Sequence, residues 1–254
     1  MKAILLSAGR GTRLMPLTAS LPKCLVEVGG KSVLAWQLAA LAAAGVAEAV
    51  VVSGFGALQV DREARRARPR GLRVRTLYNP EWETADNLVS CLAARREMQE
   101  DFLLLNGDTL VEPAIPARLL DSPRVLVSVA VVRKSAYDAD DMKVRSGLGW
   151  LDHIGKTLPP AAVDGEAIGV SLYRGDGPRV FVEALEEARR GGDARWYLSA
   201  VELLAQRGLA RTVRMDGLGH AEIDYPADLP RAEALVAGWR RLRAAARARA
   251  REAA

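Results

Sequence analysis

The sequence predicts an α/β protein whose mostly parallel, mixed sheet carries helices on both faces. Short apolar runs alternate with amphipathic segments through the first half of the chain, which is the pattern of strand–helix–strand units. The connections in such units are right-handed crossovers, so helices cover both faces of the sheet. Half of the 254 residues are hydrophobic and 5% are aromatic, which supplies enough apolar surface for a sizeable core.

The apolar runs predict the strands of the first half in chain order. The first strand covers residues 2–6 and leads directly into a glycine-rich loop. Later runs predict strands at 48–53, 72–78, 102–106 and 125–132. Helical spacing predicts helices at 32–44, 57–68 and 86–98, and Ser32 and Asp86 stand where N-caps are expected.

Beyond about residue 133, Gly and Pro divide the chain into shorter pieces, which indicates an antiparallel or mixed extension beside the main sheet. The pieces predict strands at 143–144, 150–154, 167–173 and 211–215 and helices at 178–189 and 197–206. The simplest organisation is one domain over residues 1–235, with a substrate-side elaboration at about 133–225. An Ala/Arg-rich C-terminal helix or tail follows at 236–254.

The net charge of +5 belongs to the end of the chain rather than to its body. From Trp239 onward there are six Arg and one Glu, and the rest of the sequence holds 30 basic and 30 acidic residues. An Ala/Arg segment favours a helix with a solvated face. Segments that bind nucleic acid or membranes use interleaved aromatic residues, which are missing beyond Trp239. We therefore expect no nucleic-acid partner and no membrane insertion.

Cysteine and histidine usage argues against several kinds of site. Cys24 and Cys91 are far apart and form no Cys-x-x-Cys unit, and the only histidines are His153 and His220. Neither a disulfide framework nor a zinc site is indicated. No apolar run approaches ~18 residues, and the chain begins directly with a core strand. We therefore expect no cleavable signal, and the predicted location is the cytoplasm.

A glycine-rich loop, Gly9-Arg10-Gly11-Thr12-Arg13-Leu14, follows the first strand at the sheet edge where α/β proteins bind ligands. Glycines let backbone N–H groups approach anionic oxygens, and Arg13 and Lys23 add positive charge, so the loop is predicted to bind phosphate. Two better-known phosphate-binding loops do not fit. A dinucleotide fingerprint needs Gly or Ala in place of Leu14, and a Walker loop needs Gly-Lys-Ser/Thr, which is absent from this loop. The glycines alone also fit an ordinary strand-to-helix turn, and the two cations favour the phosphate site.

Two carboxylates are predicted beside this phosphate site. Asp108 follows strand 102–106, and Asp224 follows a short apolar approach in the same manner. Aspartate at a strand end is also a common turn residue. Two carboxylates next to phosphate oxygens make a Mg²⁺ site, because Mg²⁺ binds one or two carboxylates plus phosphate and water. Lys143 and Lys156 are isolated cations, which are typical of a solvated surface unless a phosphate lies nearby.

Together these motifs resemble the signature of the sugar-phosphate nucleotidyltransferase superfamily, Gly-x-Gly-Thr-Arg-Leu-x-Pro-Leu-Thr followed by Pro-Lys. Residues 9–18 and 22–23 match it at every signature position, and the resemblance covers residues 1 to about 235. It implies a Rossmann-like, GT-A-like fold. It also implies that Asp108 and Asp224 bind the metal and that Lys156 is the lysine that holds a sugar phosphate or alcohol phosphate.

Three local patterns are closest to the phosphocholine cytidylyltransferase-like branch of that superfamily. They are Asn79-Pro80-Glu81-Trp82 with Asp86-Asn87-Leu88-Val89-Ser90, Asp140-Asp141-Met142-Lys143-Val144, and Gly165-Glu166-Ala167-Ile168-Gly169. Hexose-1-phosphate enzymes usually carry a Gly- or Gln-containing turn where Asp86-Asn87 stands. The resemblance therefore implies an enzyme that uses CTP and Mg²⁺ to convert a phosphorylated alcohol into a CDP-alcohol, with release of pyrophosphate.

The resemblance also implies roles for individual residues. Arg13, Lys23 and Lys156 would be the catalytic cations, acting on the β- and γ-phosphates, the α-phosphate and the incoming phosphate respectively. The acceptor needs no strong base, because the second pKa of a phosphate monoester is near ~6. The nucleotide site would comprise Ala8, Gly9, Gly11, Thr12, Arg13, Lys23, Asn87 and Gly107. The substrate site would comprise Asp141, Lys143, Lys156, Glu166, Trp196 and Tyr197.

The sequence leaves the acceptor open among phosphorylated choline, ethanolamine and inositol and aminoethyl phosphonate. The candidates for an aromatic cage around a quaternary ammonium are Trp82, Trp150, Trp196 and Tyr197, although aromatic residues at helix starts more often belong to the core. Carboxylates such as Asp141 and Glu166 would instead bind a primary amine or sugar hydroxyls. The other functions left open are a hexose-1-phosphate nucleotidyltransferase using GTP, UTP or dTTP and an inactive nucleotide-binding regulatory module. A homodimer is also left open.

Overall fold

A computed structural model describes residues 1–84, 86–190 and 196–252, apart from the side chains of residue 243 and of residues 246–252. Its strands are β1 (Lys2–Ser7), β2 (Glu27–Val28), β3 (Lys31–Ser32), β4 (Glu48–Ser53), β5 (Arg73–Tyr78), β6 (Phe102–Asn106), β7 (Thr109–Val111), β8 (Val127–Val132), β9 (Lys143–Gly147), β10 (Trp150–Gly155), β11 (Gly165–Tyr173), β12 (Ala210–Arg214) and β13 (His220–Glu222). Its helices are α1 (Val33–Ala43), α2 (Ala57–Arg66), α3 (Asn87–Ala93), α4 (Ala114–Leu120), α5 (Gly177–Arg190), α6 (Leu198–Gln206) and α7 (Leu229–Glu252).

Within these residues, nine strands form one mixed sheet in the order β5-β4-β1-β6-β11-β8-β12-β10-β9. Strand β1 is parallel to β4 and β6, and β4 is parallel to β5. Strands β9 and β10 form an antiparallel pair at the other end of the sheet. The predicted α/β class with a mixed sheet is therefore confirmed, and its parallel pairings join β5, β4, β1 and β6 from the first half of the chain and β12 with β8.

Strand β11 lies in the middle of the sheet, between β6 and β8 and antiparallel to both. The sequence predicts this segment as part of an extension beside the main sheet, and that placement is wrong. The strand is buried along almost its whole length. A strand buried on both faces is a nearly continuous apolar run, and the stretch from Ala167 to Tyr173 is such a run.

The predicted helices agree with the structure except for the one at 86–98. The Ser32 Oγ accepts a hydrogen bond from the Ala35 N–H at 3.0 Å, which confirms the predicted N-cap of α1. Helix α3 ends at Ala93, and a 3₁₀ turn follows at Arg95–Glu97. The Arg95 guanidinium donates to the Leu92 carbonyl at 2.9 Å and so satisfies one free carbonyl at this early end.

Alternate residues of β1 bury into two separate layers of helices. Ile4 packs in the layer that contains α3, α5 and α6. Leu5 packs in the layer that contains α1, α2 and α4. The period of two along a strand is what sends neighbouring side chains to opposite faces. Helices therefore cover both faces of the sheet, as predicted.

Helix α7 packs its first turns against α1. Val236 is fully buried, and the Trp239 ring meets the Trp36 ring edge to face, with centroids 5.9 Å apart. The predicted domain boundary at residues 235 and 236 thus falls inside a helix that begins at Leu229. None of the described helices has both the length and the apolar character needed to cross a membrane.

Candidate functional site

A cleft of about 1070 Å³ opens at the carboxyl ends of β1 and β6. Parallel strands bring their carboxyl ends to one sheet edge, where α/β proteins bind ligands. All eight residues predicted for the nucleotide site line this cleft, namely Ala8, Gly9, Gly11, Thr12, Arg13, Lys23, Asn87 and Gly107. Asp108 and Trp196 line it as well.

The glycine loop needs glycine at Gly11 for two reasons. Its φ is +80°, a left-handed conformation that L side chains rarely adopt. A Cβ built there would also lie 2.9 Å from the Cβ of Lys23. The Gly11 carbonyl accepts a hydrogen bond from the Thr18 hydroxyl at 2.6 Å, which holds the loop in place. The loop and Lys23 therefore pack directly against each other.

Lys23 lies between the two predicted metal carboxylates. Its Nζ donates to Asp108 Oδ2 at 2.7 Å and also to Asp224 Oδ1. The Lys23 side chain is 14% exposed, so this ion triad is largely screened from solvent. Burial lowers the pKa of Lys23, but the charges of Asp108 and Asp224 outweigh burial and raise it overall. Burial raises the pKa of Asp108, and Lys23 reverses the shift, so this carboxyl stays ionised.

The fold brings Asp108 and Asp224 together through a short antiparallel pair of strands. Strand β7 begins just after Asp108, and β13 ends just before Asp224, with Thr109 opposite Glu222 in the register. The Ile223 N–H donates to the Asp108 carbonyl at 3.2 Å and continues the pairing. Gly107 is required in front of Asp108, because a Cβ there would lie 2.4 Å from the Leu6 carbonyl oxygen.

The two carboxylates fit Mg²⁺. Both contact the same ammonium nitrogen, so their oxygens converge on one point that already accommodates a cation. Within the described residues, no group of three or more His, Cys, Asp or Glu side chains converges on a metal position. A protein contribution of two carboxylates suits Mg²⁺, whose other ligands are phosphate oxygens and water.

Glu222 is a site residue that the sequence did not single out. It is the last residue of β13, opposite Thr109 of β7, and lies two residues before Asp224. Burial, followed by the charges of Asp108, Glu166 and Asp224, raises the pKa of Glu222 to about 8. The sequence signal for Glu222 is the pair of carboxylates in Glu222-Ile223-Asp224, since Asp224 was already a predicted site residue.

Lys156 lies at a second cluster next to Arg13, and Asp140 joins the two cations. The Lys156 Nζ is 3.1 Å from Asp140 Oδ1, and Arg13 Nη1 is 3.3 Å from Asp140 Oδ2. The hydroxyl of Tyr225 donates to the same Asp140 oxygen at 3.1 Å. The Lys156 ammonium also lies 4.6 Å from the centre of the Trp196 ring. The sequence picked Asp141 here, whereas its neighbour Asp140 faces the cations.

Asp141 and Glu166 pair with Lys134 instead of standing free to bind a substrate. The Lys134 Nζ is 2.7 Å from Asp141 Oδ1 and 3.1 Å from Glu166 Oε2. Burial raises the pKa of Glu166 to about 7, with the neighbouring Asp141 charge adding to the shift. Lys143 is also turned inward and donates to backbone carbonyls, with 5% of its surface exposed. In this structure the three side chains face other protein groups, and their predicted contacts with a substrate stay a prediction.

Tyr197 is a core residue and not part of the predicted aromatic cage. It is 1% exposed, and its ring meets Phe181 edge to face at 6.4 Å. Its N–H donates to Asn87 Oδ1 at 2.9 Å, so its backbone rather than its ring touches the cleft wall. Trp150 stacks with Arg211 outside the cleft lining, whereas Trp82 lines the cleft.

The model of a protein family described as "Nucleotidyl transferase" matches residues 2–123 of the chain. This part contains the glycine loop, Lys23 and Asp108.

Two curated relatives cover different lengths of the chain. The CMP-5'-(3-aminopropyl)phosphonate synthase of Streptomyces rubellomurinus is 32% identical over 248 residues, which are 91% of this chain and 38% of that protein. The N-acetylmuramate alpha-1-phosphate uridylyltransferase of Neisseria meningitidis is 34% identical over 116 residues, which are 44% of this chain and 48% of that protein. The chain therefore spans less than half the length of either relative.

Two solved structures share the fold over nearly the whole chain. The CTP:phosphocholine cytidylyltransferase from Streptococcus pneumoniae superposes with a TM-score of 0.71 at 22% identity, covering 92% of this chain and 98% of that one. The inositol-1-phosphate CTP transferase from T. maritima gives a TM-score of 0.74 at 19% identity, covering 92% and 94%. These likenesses confirm the predicted fold.

Proposed function

We propose that the chain is a nucleotidyltransferase that transfers a cytidylyl group from CTP to a small phosphorylated alcohol or phosphonate, in a Mg²⁺-dependent reaction; the family match over residues 2–123 and the relative aligned with 91% of the chain support this. The observation that carries the proposal is the convergence of Lys23, Asp108 and Asp224 beside the glycine loop. Cations and a carboxylate pair that would bind the metal then lie beside the proposed phosphate site, as phosphoryl transfer requires.

The residues of the cleft, with Asp224 and Lys156 beside it, divide the work between the two substrates. Backbone N–H groups of the glycine loop and the Arg13 guanidinium would hold the β- and γ-phosphates, and Lys23 would stabilise charge at the α-phosphate. Lys156 would hold the attacking phosphate or phosphonate. Asp108 and Asp224 would bind Mg²⁺, which neutralises charge on the phosphates when bound.

The bond changes follow from this placement. An oxygen of the acceptor attacks the α-phosphorus and forms the new P–O bond, and the bond between the α-phosphorus and the bridging oxygen to the β-phosphate breaks. Pyrophosphate leaves with that electron pair. A phosphate monoester is already largely dianionic at neutral pH, so alignment and charge neutralisation supply most of the catalysis.

Support for CTP comes from three similar proteins. The relative that aligns with 91% of this chain is a CMP-phosphonate synthase, and the two structural neighbours are CTP-dependent by name. The cytoplasm remains the expected location.

A hexose-1-phosphate nucleotidyltransferase that uses GTP, UTP or dTTP is the second candidate. Relatives of that kind favour it: the Neisseria uridylyltransferase and a mannose-1-phosphate guanylyltransferase catalytic subunit of Danio rerio, 35% identical over 114 residues and 44% of this chain. Both alignments cover less than half of this chain, so they leave the acceptor side unmatched.

A matrix of nucleotides against acceptors tests both candidates. CTP, UTP, GTP and dTTP would each be combined with phosphocholine, phosphoethanolamine, inositol 1-phosphate, 2-aminoethylphosphonate, glucose 1-phosphate and mannose 1-phosphate, and pyrophosphate release measured. Release confined to the CTP row with an alcohol phosphate or phosphonate supports the proposal. Release with another nucleotide and a hexose 1-phosphate supports the second candidate, and none with any pair contradicts both.

A further inference from the structure

The ammonium of Lys143 is buried, and backbone carbonyls surround it. It donates to the carbonyl oxygens of Asp138, Asp141 and Lys156, the last two at 3.4 and 3.0 Å. Within the described residues, no carboxylate lies within 4.0 Å of its nitrogen. A lysine ammonium has three N–H donors, and three carbonyls occupy them. No donor is therefore left for a substrate phosphate.

The carbonyls of Asp138 and Asp141 belong to a turn that fixes the direction of Asp140. Asp138 Oδ1 accepts from the Asp140 and Asp141 N–H groups at 2.8 and 3.0 Å. Asp141 Oδ2 accepts from the Asp138 N–H at 2.9 Å, and Lys134 holds the same carboxylate from the other side. The turn is thus closed by its own side chains, and it presents Asp140 outward.

The third carbonyl belongs to Lys156, the cation that pairs with Asp140. The Lys156 Nζ lies 3.1 Å from Asp140 Oδ1. Lys143 therefore binds the backbone of Lys156 and of two residues in the turn around Asp140, and so joins the two segments that carry this ion pair. A charge-assisted hydrogen bond to each segment limits how far one can move relative to the other.

We propose that Lys143 is a positioning residue that holds the Asp140 turn and Lys156 as one unit, and that this unit sets the affinity for the phosphorylated acceptor. The inference rests on the proposed function, in which Lys156 binds the acceptor phosphate. Lys143 donates to neither the glycine loop nor Lys23, and the nucleotide side meets this unit through the pair of Arg13 with Asp140 at 3.3 Å, so the larger effect is expected on the acceptor side. A small displacement of a positioned group is enough to lower the rate of a transfer reaction by orders of magnitude.

The test compares Lys143→Met with Arg145→Met, which removes a positive charge from an exposed residue of the same strand. Lys143→Met is expected to raise the KM for the acceptor about tenfold or more, with the KM for the nucleotide within about twofold of the parent value. Arg145→Met should leave both constants unchanged. Lys143→Arg keeps a cationic donor and should recover part of the acceptor affinity. Equal increases in both KM values, or no change in either, would overturn the proposal.

A double variant separates positioning from direct contact. If Lys143 acts through Lys156, then adding Lys143→Met to Lys156→Met should cost little beyond Lys156→Met alone. Independent, additive losses would mean that Lys143 acts by another route, and would overturn the proposal.

Amide hydrogen exchange gives a readout that needs no activity. In Lys143→Met, peptides covering residues 138–142 and 155–157 should exchange at least about tenfold faster than in the parent, whereas Arg145→Met should not change them. Unchanged exchange in both peptides would overturn the positioning role of Lys143 even if no acceptor is turned over. Faster exchange in Lys143→Met, with no pyrophosphate release from the parent enzyme, would contradict the proposed function but support the positioning role of Lys143.

Discussion

The Lys23 ammonium lies 2.7 Å from the Asp108 carboxylate, so a cation predicted to bind phosphate is paired with a carboxylate predicted to bind metal. Asp224 contacts the same ammonium and Arg13 as well, the latter at 2.9 Å. When the substrates bind, Lys23 and Arg13 would pair with phosphates and the two carboxylates would pair with Mg²⁺. No buried charge would then be left without a partner, and an unpaired buried charge is costly.

Lys23→Met tests this exchange. The variant keeps most of the side-chain volume but loses the positive charge at the α-phosphate, so kcat is expected to fall by about 100-fold or more. Steady-state pyrophosphate release measures this. Lys31→Met, an exposed lysine outside the cleft lining, is the matched control and should keep the parent rate. A Lys23→Met rate within a few-fold of the parent would remove Lys23 from the proposed chemistry.

Asp108→Ala tests the metal site. Loss of one of two carboxylates should abolish the Mg²⁺-dependent part of turnover while the circular dichroism spectrum stays that of the folded protein. Adding EDTA to the parent enzyme should have the same effect on turnover. The control is Asp152→Ala, which removes an exposed carboxylate from β10. Turnover that persists in Asp108→Ala, or in EDTA, would contradict the assignment.

Two alanine substitutions in the glycine loop are expected to differ. Gly11→Ala forces a Cβ against Lys23 at a left-handed φ, and should destabilise the protein by about 1–2 kcal/mol. Gly9→Ala meets no atom within 4 Å and should leave the free energy of unfolding nearly unchanged.

Gly9→Ala should nevertheless raise the KM for the nucleotide, because its methyl group enters the cleft where the phosphates are proposed to bind. Urea unfolding and initial-rate kinetics measure the two effects separately. Equal losses of stability in Gly9→Ala and Gly11→Ala would contradict the idea that the left-handed φ of Gly11 and its contact with Lys23 make glycine necessary there.

Glu222→Gln should change how stability depends on pH. The pKa of Glu222 is raised from 4.5 to about 8, so the folded state holds a proton that the unfolded state releases between these values. The stability from this group is therefore fully present below pH 4.5 and is lost as pH rises toward 8. Gln stays neutral at every pH. Between pH 5 and pH 9 the free energy of unfolding should therefore fall by about 1–3 kcal/mol less in Glu222→Gln than in the parent.

Urea unfolding at pH 5, 7 and 9, with EDTA present to remove bound metal, measures the Glu222→Gln effect. The two stability profiles should diverge as pH rises. Parallel profiles would mean that Glu222 is ionised like an ordinary surface carboxylate.

The nucleotide side of the candidate site was predictable because its residues follow strands that lie next to one another. The glycine loop follows β1 and Asp108 follows β6, and these two strands pair in parallel. The apolar runs that predict the strands therefore also place the loops at one edge. Lys23 comes within the same contiguous motif.

The acceptor side was only partly predictable, as Asp140 and Asp141 show. Adjacent residues in a turn point in different directions, and which one faces Lys156 depends on hydrogen bonds that the Asp138 carboxylate accepts and on the contact of Lys134 with Asp141. Tyr197 follows the same principle, because its burial against Phe181 depends on the packing of two helices. None of these contacts has a repeating pattern in the sequence.

The sequence by itself determined the α/β class, the order of the main-sheet strands and of helices α1, α2 and α3 in the first half, and the set of residues around the glycine loop. Local periodicity and one contiguous motif carry that information, and both are written in neighbouring residues. Only the tertiary structure decided that β11 enters the middle of the sheet, that β7 and β13 bring Asp108 to Asp224, and that Lys143 is turned inward. Those outcomes depend on pairings between segments far apart in the chain, where burial and hydrogen bonding select one partner among many.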